Sequence, residues 1–125
     1  MHIQELIERF EELGKRARVT NDDITCYCNF IFGLYAGLGN TRNELDVFFS
    51  NYFHKWVLYW IENNIDPNYA PVKGWWDQWI KDISTNEENE KELFFRICKE
   101  FFEMYENKGA NQLERIIGIR YEKSL

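Results

Sequence analysis

The sequence predicts an all-α fold, a single-domain bundle of five or six helices over residues 1–125, and three observations carry that prediction. Apolar residues recur at spacings of three and four along most of the chain, the period of an amphipathic helix. Both prolines, Pro67 and Pro71, fall in one short stretch, so helices can run uninterrupted elsewhere. Five Trp, seven Tyr and ten Phe make the chain 18% aromatic. Each buried ring removes roughly 150–250 Å² from water, so a sizeable core is available and disorder of the whole chain is excluded.

The first helix is expected from Ile3 to about Lys15, with Ile3, Leu6, Ile7, Phe10 and Leu13 on its buried face and Glu5, Glu8, Arg9, Glu11 and Glu12 in water. Gly14 and the basic run Lys15-Arg16-Ala17-Arg18 suit a helix end. A second helix starts near Thr20-Asn21-Asp22-Asp23, whose oxygens and negative charge serve a first turn, and ends at Gly37 and Gly39. Its face is Ile24, Tyr27, Cys28, Ile31, Leu34, Tyr35 and Leu38.

The third helix opens on Thr41-Arg42-Asn43-Glu44, the spacing of a capping box, and runs to about Asn63. Leu45, Phe48, Phe49, Tyr52, Trp56, Tyr59 and Trp60 make a broad face, and Val47, Leu58 and Ile61, with His54 on the same stripe, make a second one opposite. A helix apolar on two sides is expected at the centre of the fold. A long loop follows from Asn63 to Gly74.

A short helix is expected from Trp75 to about Ile83, and Trp76, at its start, is the expected exposed tryptophan. Ser84-Thr85-Asn86-Glu87-Glu88 starts the next, which reaches about Asn107 and stops at Gly109. Its core face is Leu93, Phe94, Ile97, Cys98, Phe101, Met104 and Tyr105. Phe95 and Phe102 point away from that face, toward either a second packing layer or a homodimer surface. The C-terminal segment from Asn111 reads as a short helix, with a strand over Ile117 to Tyr121 as the alternative.

A formal net charge of -6 argues against a nucleic-acid surface, which needs clustered Lys and Arg, and against an anionic membrane. The longest nearly apolar stretch, Phe30 to Gly39, is about half of the roughly 20 residues a membrane span needs. The polar N-terminus is unlike a signal peptide, and Cys26, Cys28 and Cys98 read as thiols in a reducing cytoplasm.

No metal or cofactor is expected. On a helix, Cys26 and Cys28 point about 200° apart and cannot share one zinc. Cys28 with His54 is the one conceivable nucleophile and base, but nothing in the sequence poses them together, and a packed histidine is the expectation. The paired acids Asp22 with Asp23, Asp77 with Asp82, and Glu87-Glu88-Asn89-Glu90 sit at helix starts or on polar faces, where they favour the helix dipole rather than sugar hydrolysis. The glycines of Gly33 to Asn40 lack the Lys-Ser or Lys-Thr of a phosphate loop. The chain is therefore read as a binding protein and not an enzyme.

Acidic residues gathered near the loop and the Trp-rich helix suit a basic protein partner, because aromatic anchors among acids combine affinity with fast association. Asp66, Tyr69, Trp76, Asp77, Asp82, Glu87, Glu88 and Glu90 are the residues expected to meet it. In the acidic Glu87-Glu88-Asn89-Glu90 segment, Asp77, Asp82 and the Trp75-Trp76 pair, the chain resembles in type the small acidic immunity proteins that bacteria pair with secreted nuclease toxins. That resemblance implies a basic toxin domain as partner and occlusion as mechanism, with carboxylates filling the site meant for phosphates. Two other classes are carried beside it: a phage or mobile-element accessory protein that binds a host protein, and a small-ligand binder or enzyme using an aromatic cleft.

Overall fold

A computed structural model of the chain describes residues 3–16, 33 and 42–122. Those residues are helical or irregular, with no strand among them. The helices are α1 (Ile3–Arg16), α2 (Arg42–Val47), α3 (His54–Asn64), α4 (Trp76–Ile83) and α5 (Glu90–Ile117). A π-helical turn, Phe48–Phe53, joins α2 to α3. Apart from Gly33, which is helical, the second expected helix with Cys26, Cys28 and Phe30 lies outside the described residues.

The π-turn decides which residues reach the core. The His54 N–H donates to the Phe49 carbonyl five residues back instead of four. One such insertion turns everything after it back by about 100°, one residue's rotation in an α-helix. The face started by Leu45, Phe48 and Phe49 therefore continues through Phe53, Trp56, Val57, Trp60 and Ile61, all buried. The expected continuation through Tyr52 and Tyr59 is displaced, and both are only half-buried. The second stripe dissolves for the same reason. Ile61 joins the core, Leu58 and His54 are half-buried, and Val47 stays 39% exposed.

Around the turn the rings interlock. Phe48 stacks on Phe102 at 5.7 Å and meets Phe101 edge-on at 5.3 Å. Phe53 meets Trp76 edge-on at 4.9 Å. Pairs of this geometry contribute about 0.5–1.5 kcal/mol beyond their burial. Polar links also cross the layer: the Trp56 indole N–H donates to the Ile97 carbonyl at 3.0 Å, tying α3 to α5 inside the core.

Helix α4 corrects the choice of exposed tryptophan. Trp75 is its N-cap, in extended conformation, and Trp76 is its first helical residue. The change of backbone at the cap sends the two neighbouring rings apart. Trp76 turns inward onto Phe49, Phe53 and Phe94 and is 7% exposed, whereas Trp75 is 56% exposed.

Helix α5 begins later than expected. Thr85 accepts a hydrogen bond from the Glu88 N–H at 3.0 Å, but this closes a turn ahead of the helix. The N-cap is Asn89, whose side chain accepts from the Glu92 N–H at 2.9 Å. Gly109 breaks the helix as expected, at φ 87° and ψ 168°, a conformation only glycine takes readily. A second helical piece follows with Leu113 and Ile117 buried, and Gly118 ends it in the left-handed conformation, φ 77°. The tail is thus helical to Ile117 and irregular from Gly118 to Glu122, with no strand among the described residues. Tyr121 then folds back against Phe101 and Tyr105.

Leu6 and Ile7 of α1 are buried in the same cluster as Phe95 and Phe102, which are 8% and 5% exposed. These two phenylalanines lie in a second packing layer, where α1 packs along α5. Among the described residues no helix is long and apolar enough to cross a membrane.

Candidate docking site

Among the described residues, the loop between α3 and α4 carries three of the four large apolar side chains that stand out in solvent: Ile65 (51% exposed), Val72 (42%) and Trp75 (56%). It is held at both ends. Asp66 accepts from the Asn68 N–H at 2.9 Å, closing a tight turn with the Tyr69 N–H on the Asp66 carbonyl at 3.1 Å. The Tyr69 hydroxyl donates to Asp82 on α4 at 2.7 Å. The Trp79 indole N–H donates to the Val72 carbonyl at 3.0 Å. Burial, with the Asp82 carboxylate beside it, pushes the Tyr69 phenol up to about 12.

Trp75 stands on His54. Their ring centres are 4.5 Å apart, tilted by 52°, and on the same imidazole Trp79 stacks at 4.5 Å and 26°. The His54 Nδ1 is enclosed without a hydrogen-bond partner. Burial holds the imidazole below its ordinary pKa of 6.5, Asp77 opposes that shift, and Lys55 adds to it more weakly. Burial thus favours the neutral ring at pH 7.

Of the residues expected to meet a partner, the fold brings Asp66, Tyr69, Asp77 and Asp82 together around this loop and the start of α4. Asp66 and Asp82 are exposed, and Asp77 is half-buried in the first turn of α4, where its charge favours the helix dipole. Trp76 belongs to the core and Trp75 takes its place on the surface. Glu87 is exposed on the turn before α5. Glu88 is occupied within the chain, pairing with Arg96 at 3.0 Å, and Glu90 is half-buried in the first turn of α5. His54 and Trp75 were not among the expected site residues.

A concavity of about 420 Å³ lies between α1 and α5. Phe95 and Phe102 floor it, and Glu8, Glu11 and Glu103 outnumber Lys99 along its walls. Cys98 is fully buried in the core, Cys28 lies outside the described residues, and no described group of three or more His, Cys, Asp or Glu residues is placed to hold a metal ion.

No family model matches the chain, and no curated protein and no solved structure matches it either.

Proposed function

We propose that the chain is a protein-binding inhibitor of a basic partner, a toxin domain of the nuclease kind being the partner its acidity suits best. One observation carries the reading: Trp75, 56% exposed, is held over His54 on a loop pinned at Tyr69–Asp82 and Val72–Trp79. A large ring left in water and fixed in place is what an interface anchor requires. It gains its full burial on docking and loses little freedom in doing so. The net charge of -6 draws a cationic partner toward it and penalises nucleic acid. In this reading the whole chain is one bundle of five or six helices, acts in the cytoplasm without metal or cofactor, and works by occluding its partner's site rather than by chemistry of its own.

The experiment is capture of partners from the native host at low salt, with the wild-type chain and Trp75→Ala as parallel baits, followed by co-expression with the captured protein. A basic protein bound by the wild type, weakened at least about tenfold by Trp75→Ala and released by salt, supports the reading. Equal recovery on both baits, or a captured protein whose activity is unaffected by co-expression, contradicts it.

A further inference from the structure

We propose that the cavity between α1 and α5 binds a linear aliphatic polyamine, its methylene body on Phe95 and Phe102 and its ammonium groups on glutamates of both walls. None of the lining residues belongs to the Trp75 loop, so this site is separate from the docking surface above.

The cavity holds about 420 Å³, within the roughly 300–1,000 Å³ of small-molecule sites. Its lining runs along α5 from Phe95 to Glu106, about 16 Å of helix axis, so a long ligand fits it better than a round one. The floor is apolar. Phe95, Phe102 and Ile7 are 8%, 5% and 4% exposed, and water above them meets carbon on one side. A ligand with an apolar body gains by displacing that water.

The walls are acidic. Glu8 and Glu11 line the cavity from α1, Glu103 and Glu106 line it from α5, and Lys99 is the single cation among the lining residues. Each pair of glutamates is spaced by three residues, which sets both on one helix face with a rise of about 4.5 Å between them. The Gln4 amide donates to Glu8 at 3.4 Å, a neutral partner that leaves the charge in place. The excess of acids over Lys99 favours a cationic ligand.

The spread of the carboxylates selects the kind of cation. Among the described residues, no three acids are gathered closely enough to hold one metal ion. Their complement is a set of positive charges strung along an apolar chain. A polyamine has that form: its methylenes lie on the rings while its ammonium groups stay at the rim. A guanidinium or a quaternary ammonium carries its charge at one point and leaves one wall unmatched. Each exposed ion pair contributes little alone, so affinity requires several at once.

The test uses the full chain with carbon-13 in the isoleucine δ1 methyls. The Ile7 signal, from inside the cavity, is identified by its loss in Ile7→Val. The probes are spermidine, n-butylamine and magnesium chloride at one fixed ionic strength. Spermidine should move the Ile7 signal saturably, at a half-saturating concentration at least about fivefold below that of butylamine, because each further ammonium adds a pair. Glu11→Gln and Glu103→Gln, one from each wall, should each weaken spermidine about twofold or more. Glu62→Gln, on α3 and outside the cavity, should leave it unchanged. Unmoved signals from the buried Ile61 and Ile97 report that each variant is folded. Three results would overturn the assignment: an Ile7 signal left in place by about 10 mM spermidine, magnesium or butylamine moving it at the same concentration, or either Gln variant responding like the wild type.

Discussion

Trp60 and Trp75 are the same residue in two opposite settings. Trp60 is 1% exposed, its N–H is taken by Glu100 and its face is covered by Arg96. Trp75 is 56% exposed, and its inner side rests on a neutral histidine with an unpartnered nitrogen. The first corner is closed, and every group in it helps hold α3 to α5. The second is open, and the groups around it hold the ring in position without covering it. Burial and pairing thus separate the ring that holds the chain together from the ring that it leaves in solvent.

The sharpest way to break that comparison is to truncate each ring in turn. Trp60→Ala should cost about 3–5 kcal/mol in urea unfolding, because it opens a cavity and strands the Glu100 carboxylate and Arg96 together at the edge of the core. Trp75→Ala should stay within about 1 kcal/mol. Equal losses would mean that the open corner is structural. Next in size is Glu100→Ala, which removes the acceptor of the buried Trp60 indole N–H. About 1–2 kcal/mol is expected, discounted for the carboxylate's partial exposure.

Tyr69→Phe should cost about 1 kcal/mol or less, since the hydrogen bond to Asp82 is exposed. Its clearer signature is spectroscopic. In an ultraviolet titration of the wild type, Tyr69 and Tyr121 both ionise near 12, and the variant should lose the amplitude of one of these two phenols.

The smallest effect is the pH dependence of the His54 stack. The folded state holds this imidazole below 6.5, so the unfolded chain takes up the proton first. The stability that neutral His54 contributes is present above pH 6.5 and is lost as pH falls from there toward the folded value. Unfolding midpoints from pH 8 to pH 5 should therefore fall more steeply for the wild type than for His54→Phe. A steeper fall in the variant would reverse the sign and contradict the geometry.

Helix periodicity was enough to place α1, the start of α2, the core face of α5 and the break at Gly109, because amphipathic spacing and glycine chemistry are local signals. It was not enough for the second half of the third expected helix. A constant 3.6-residue period carries Leu45, Phe48 and Phe49 on to Tyr52 and Tyr59, and only the extra residue of the π-turn redirects the face to Phe53 and Val57. The Phe101 and Phe102 rings that Phe48 meets there are distant in sequence.

The candidate site was legible in its acids and misread in its ring. Asp66, Tyr69, Asp77 and Asp82 were flagged by composition, but whether Trp75 or Trp76 faces water depends on which residue is the N-cap, a difference of one position. Glu88 looked available because Arg96, eight residues on, comes within reach only once Asn89 has started the helix.

Incorporation of fluorotryptophan tests the division between closed and open corners most directly. The fluorine resonances of the five tryptophans are compared in H₂O and D₂O and against a soluble paramagnetic relaxant. One resonance should stand apart as solvent-accessible, and it should vanish in Trp75→Phe while the resonances of Trp56, Trp60, Trp76 and Trp79 stay protected. An accessible resonance that survives Trp75→Phe and disappears in Trp76→Phe would contradict the account.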